Sequence, residues 1–246
     1  MINIYKANMR KLFKSKLYLI GLIIAVVVTH QFTGNLMGFG GVFNEMTLAG
    51  RMHFVSAAIV GFFTIYTPLF VCEEYSEGSI KNKFISGFTQ KEMFGGGMMT
   101  QLSAAFIMWV LHILAGVVAG ARPSGAWWVD IITDFIAILG YVAVVYALSF
   151  RITKIVASAI ISFVVMNVAF NTITFGNMFL MITKGVLYKI VTIAYNISCL
   201  GQWFVHTGLM GDDANPGAPV QIILSVCIIV SSIILGMTKL DKRDLK

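Results

Sequence analysis

Glu73-Glu74-Tyr75-Ser76-Glu77-Gly78-Ser79-Ile80-Lys81-Asn82-Lys83-Phe84-Ile85-Ser86-Gly87-Phe88-Thr89-Gln90-Lys91-Glu92 is a hydrophilic block set between two long apolar stretches. Charge at this density cannot lie in hydrocarbon, where neither charges nor free backbone groups find water. The block is therefore a loop in water, and the stretches on either side of it are membrane spans. The rest of the chain agrees: 58% of its residues are hydrophobic and only 12% charged, with a mean hydropathy of +0.84. A soluble fold of that composition would carry an apolar exterior, so the chain reads as an integral membrane protein.

Each helical crossing takes about 20 apolar residues, which caps 246 residues at six or seven crossings once loops are supplied. The apolar windows are Leu17–Leu36, Phe54–Cys72, Met98–Gly120, Trp128–Leu148, Ile155–Phe175 and Val220–Met237. They are continuous rather than alternating at period two, and barrel strands would be only about 9–11 residues long. The expected fold is all-α: one transmembrane domain over residues 1–246 with six transmembrane helices. Met1–Lys16 lacks a small-residue cleavage site and precedes a run long enough to span, so it is no cleavable signal. Two readings stand for it. In one, Ile2, Tyr5, Met9, Leu12 and Phe13 form the lipid-facing stripe of an amphipathic surface helix, opposite Lys6, Arg10 and Lys14. In the other it is an ordinary charged flank.

Six spans put both termini on one side. Of the 18 Lys and Arg residues, only Arg51, Arg122, Lys184 and Lys189 then fall on the other side. Positive charge stays on the cytoplasmic side during insertion, so the termini and the 73–92 loop are expected in the cytoplasm. Anionic inner-leaflet lipid accounts for the net charge of +7 without nucleic acid. Asn177–Ile197 is apolar enough for a seventh crossing. That crossing would place the basic end outside and bury Lys184 and Lys189 at about 2.5–3.5 kcal/mol each. The stretch is expected instead as outer helices lying on or dipping into the membrane, the start of a cap over residues 176–219 that includes Trp203, Phe204 and His206.

Local signals give the 73–92 loop a shape. Ser76 and Gly78 break the second span, Ser79 caps a short helix over Ile80–Ser86, and Gly87 ends it from the left-handed region. Thr89-Gln90-Lys91-Glu92 fits a capping box that opens the third span. From Gln90 to Gly120 that helix would measure about 45 Å against a hydrocarbon core of about 30 Å, so it should protrude from the membrane and carry the short helix with it. Gly95-Gly96-Gly97 is either a hinge within it or the seat of a close helix contact.

A short transverse helix below a six-span bundle suits the transfer of motion from a bound subunit. Glu74-Tyr75-Ser76-Glu77-Gly78-Ser79-Ile80-Lys81-Asn82-Lys83, with a basic tail ending Lys242-Arg243-Asp244-Leu245-Lys246, resembles permease subunits of the type-two ABC exporter family. The layout as a whole is similar to the small bacterial permeases that export antimicrobial peptides or give lantibiotic immunity. The resemblance implies that Glu74, Gly78, Ser79, Ile80, Lys81 and Phe84 lie against a nucleotide-binding subunit, with Ile80 and Phe84 as apolar plugs. It also implies a working unit of two ATPases and two permeases, the latter identical or related chains, in the bacterial cytoplasmic membrane. ATP and Mg²⁺ would belong to the partner, because this sequence has no Gly-x4-Gly-Lys-Ser/Thr loop to wrap phosphates.

Other chemistry finds little purchase. His30, His53, His112 and His206 show no metal-ligand spacing, and no serine sits in a nucleophile elbow. Cys72, Cys199 and Cys227 read as small buried hydrophobes. Asn167, Asn171 and Thr174 share one side of the fifth span, where they either line a pathway between two permeases or bind neighbouring helices. Asp130 and Asp134 stand near the outer end of the fourth span beside Trp127 and Trp128, either to meet a cationic peptide or solvated at the headgroups. The expected function is export of an amphipathic or hydrophobic molecule, a peptide before a lipid or drug, by a chain that is not itself an enzyme. The alternatives are a stand-alone immunity or sensor protein that binds a toxic peptide, and an ion channel or intramembrane enzyme.

Overall fold

The computed structural model describes residues 1–36, 38, 46–122, 125–152, 154–197, 217–238 and 240, except the side chains of 49, 126, 173, 174 and 177. Within them run α1 (Ile2–Lys14), α2 (Lys16–Thr33), α3 (Leu48–Ser76), α4 (Ser79–Ile85) and α5 (Gln90–Val118). They are followed by α6 (Gly125–Arg151), α7 (Ile155–Ile182), α8 (Gly185–Ile197) and α9 (Ala218–Met237). No strand occurs among the described residues. Six helices (α2, α3, α5, α6, α7 and α9) are long and apolar enough to cross a membrane, as fits a multi-pass membrane protein. Each expected window lies on one of them. Trp203, Phe204, His206, Cys199 and Lys242–Lys246 lie outside the described residues.

The core forms where α3, α5 and α6 meet. Phe63, Tyr66 and Phe70 of α3, Phe94 of α5, and Tyr146 and Phe150 of α6 are all buried there. Phe94 meets Phe150 edge-on with centroids 5.3 Å apart, and Phe63 meets Tyr66 at 6.2 Å, geometries that suit the aromatic quadrupole. The apolar windows of α3 and α6 are 61% buried, that of α7 only 11%. α7 is thus the most open span. At the end of the bundle where α3 begins, a separate small cluster holds Met52, Ala121, Trp127 and Ile131.

The amphipathic stripe of α1 is split by the fold. Ile4, Asn8 and Leu12 are buried, and α1 packs on α5, while Ile2 and Phe13 stay exposed beside Lys6, Arg10 and Lys14. The cause is the glycine run. α5 passes unbroken through Gly95-Gly96-Gly97, and a Cβ at Gly96 would come within 2.9 Å of Ile4 Cγ2. At Gly97 it would overlap the Tyr146 hydroxyl, which donates to the Phe94 carbonyl at 3.1 Å. The run is therefore a contact seat and not a break. With 29 residues α5 is about 43 Å long and exceeds the hydrocarbon thickness by more than two turns.

At the far end α7 does not stop at Phe175. Phe179, Leu180, Met181 and Ile182 offer no breaker, and the helix runs on until Thr183-Lys184 and Gly185, whose φ of 65° turns the chain. α8 then doubles back along α7. Tyr195 is buried against Gly176, and Ala194 and Ile197 share a cavity with Val164 and Val168, halfway down α7. Residues 185–197 thus lie against α7, with Tyr195 the one buried side chain among the described ones. Of the expected 176–219 cap, residues 198–216 lie outside the described residues.

Candidate functional site

α3 ends at Ser76, and Gly78 at φ 70° reverses the chain into α4. That angle costs a residue with a Cβ roughly 1–2 kcal/mol and glycine almost nothing. Gly78 is thus the N-cap, and Ser79 occupies the first helical position instead of the capping position expected for it. After α4, Gly87 at φ 89° closes the turn, as its left-handed assignment requires. The capping box is complete: Glu92 N–H donates to Thr89 Oγ1 at 3.2 Å, and Thr89 N–H donates to Glu92 Oε2 at 3.0 Å. α4 is thereby a short crossbar set off by a glycine turn on either side, between α3 and α5.

Its inner side is held by one plug and one ion pair, and a neighbouring pair of contacts joins α1 to the end of α3. Ile80 is only 2% exposed and belongs to the main core. Lys83 Nζ donates to Glu74 Oε1 at 2.8 Å and to Asn8 Oδ1 at 3.0 Å, which fastens α4 to α3 and α1. Lys11 meets Glu73 at 2.9 Å and Glu77 at 3.9 Å, with its ammonium 5.1 Å from the centre of the Phe70 ring. Outward, the crossbar presents Lys81, Phe84 at 53% exposure and Ile85 at 81%.

Of the six residues expected to face a partner, Glu74 and Ile80 are turned into the chain itself. Gly78 and Ser79 are half-buried, and Lys81 and Phe84 are exposed. Ile85 takes the outward place that Ile80 was expected to fill. Its signal was present in the sequence, since five residues at 100° each put Ile85 about 140° around the helix from Ile80.

No protein-family model matches this chain, and no curated protein matches it.

The residues expected to line a pathway do not converge. Asn167 is half-buried and Asn171 exposed on α7, each donating its amide to the carbonyl four residues back, Phe163 O at 2.9 Å and Asn167 O at 2.8 Å. Together with Phe163, Val168, Thr172 and Phe175 they line an open groove of about 430 Å³. The Thr174 side chain lies outside the described residues. Asp130 is half-buried on α6, whereas Asp134, one turn deeper, is 2% exposed and bonded to His53 Nδ1. Asp134 therefore meets α3 and not the headgroup region, because one further turn carries it inside the bundle. Trp127 is buried and Trp128 exposed, as adjacent helical positions about 100° apart allow. Cys72 is buried, but Cys227 is exposed, in contrast to the buried role expected of it.

Proposed function

We propose that the chain is the permease subunit of an ATP-driven exporter of the type-two ABC family, docked through α4 on a separate ATPase. The observation that carries this is the two-sided crossbar. Ile80, Glu74 and Lys83 lock it to three other helices, while Phe84 and Ile85 project two adjacent apolar side chains from a region of charge. A helix so fastened transmits displacement into α1, α3 and α5, and an apolar pair of this kind gains by entering a partner's pocket.

The rest of the reading follows the charge distribution and the resemblance. Both termini and α4 face the cytoplasm of a bacterial cell, ATP and Mg²⁺ bind the partner, and this chain hydrolyses nothing. A second permease, the same chain or a related one, meets the polar groove of α7. The cargo is an amphipathic or hydrophobic molecule, with a peptide favoured.

Purification from its native host, tagged on this chain, tests the reading. An ATPase subunit should accompany the wild type and be lost with Phe84→Asp or Ile85→Asp, both at exposed positions where folding tolerates the change. An ATPase retained undiminished by both variants, or absent from the wild type, would sink it in favour of a stand-alone immunity protein.

A further inference from the structure

We propose that His53 and Asp134 form an intramembrane proton-binding site that latches α3 to α6 at the end of the bundle remote from α4. The side chains are 4% and 2% exposed, and the His53 Nδ1–H donates to Asp134 Oδ2. Both members lie on spanning helices, His53 in the second turn of α3 and Asp134 in the third turn of α6. Ionisable residues at such depth are costly, and they persist where protonation or ligand passage requires them.

Position makes the pair a latch and not a general staple. The main core, with its aromatic ladder, holds the α4 end and middle of the bundle, and on α3 it reaches Ala57, one turn from His53. Around His53 the packing falls to the small cluster of Met52, Ala121, Trp127 and Ile131. His53 follows Met52 directly, and Asp134 lies three residues after Ile131, so the pair and this cluster tie the same two helices over the same turn.

One proton sets the charge. With it, the pair is imidazolium and carboxylate and carries no net charge. Without it, a buried carboxylate is left uncompensated, and a second proton would leave a buried cation; either favours entry of water between the helices. The other titratable or charged groups at this level are Asp130 on α6, His112 on α5, His30 on α2 and Arg51 on α3 itself. α7 brings none among the described residues. His112 Nδ1 is engaged with Thr29 Oγ1 at 2.7 Å, and Arg51 Nη1 donates to the Thr33 carbonyl at 3.5 Å, so both have partners of their own. Asp130 lies one turn from Asp134 on the same helix.

The test needs no partner subunit. Trp127 is 4% exposed within the adjoining cluster and reports on it. In detergent-purified protein labelled with 5-fluorotryptophan, the Trp127 resonance, assigned by Trp127→Phe, should move in a single one-proton step over the pH range in which the fold is retained. The step should vanish in His53→Leu/Asp134→Leu, which replaces both charges by apolar groups and keeps the fold where a single substitution would strand a charge. A wild-type resonance flat over that range, or the same step in the double variant, would overturn the proposal.

Discussion

Gly97 shows how a single absent methyl can set a bundle. The neighbouring Tyr146 hydroxyl fills the space a Cβ would take and is itself bonded to Phe94 O at 3.1 Å. Gly97→Ala should therefore cost about 1–3 kcal/mol through overpacking, and more if the Tyr146 bond is lost. Gly95→Ala meets only the flexible end of Met1, its Sδ at 2.9 Å, and should cost less. A hinge would predict the reverse, since alanine stiffens a helix by about 1 kcal/mol at any of the three positions. Thermal unfolding of the two variants in detergent distinguishes these outcomes. At the other end of the bundle, His53→Ala or Asp134→Ala alone strands a buried charge and should cost about 3–5 kcal/mol. The double leucine variant should recover most of that loss in the same assay.

The helices themselves were legible because hydrophobic length and capping chemistry are local. Thr89 and Glu92 lie three residues apart, so the capping box that starts α5 could be read from four letters and stands in the structure. Thr89→Ala should cost about 1 kcal/mol and speed hydrogen exchange in the first turn of α5 while leaving α6 untouched. What lay beyond reach was non-local. Asp134 and His53 are 81 residues apart, and Lys83 and Asn8 are 75 apart, so neither pairing leaves a mark on spacing. The stripe of α1 was visible, but periodicity does not say whether lipid or another helix will cover it, and here α5 does. Ile80 turns inward for a related reason. A short helix with apolar residues on two sides needs one to anchor it, and only packing decides which goes in.

Taken as a whole, the bundle is lopsided: α3 and α6 are enclosed, while the window of α7 is 11% buried and carries the half-buried Asn167 and the exposed Asn171. Lipid tails offer no partner to an amide, so both asparagines fall back on carbonyls of their own helix, which leaves polar capacity unused on that face. A second permease laid against α7 in an isologous arrangement would bring the same amides together across a two-fold axis. In a variant freed of native cysteines, Asn171→Cys should form an intermolecular disulfide in membranes, whereas Ile223→Cys on the exposed face of α9 should not. Equal crosslinking at the two positions would mean collision and not an interface. Sidedness is checked with the same reagents. Ile85→Cys, 81% exposed on the crossbar, should resist an impermeant maleimide added to whole cells and react in inverted vesicles. Lys184→Cys, in the exposed turn between α7 and α8, should do the opposite. Labelling of Ile85→Cys from outside would place the crossbar away from ATP, and the same face of the molecule could then serve only an extracellular partner.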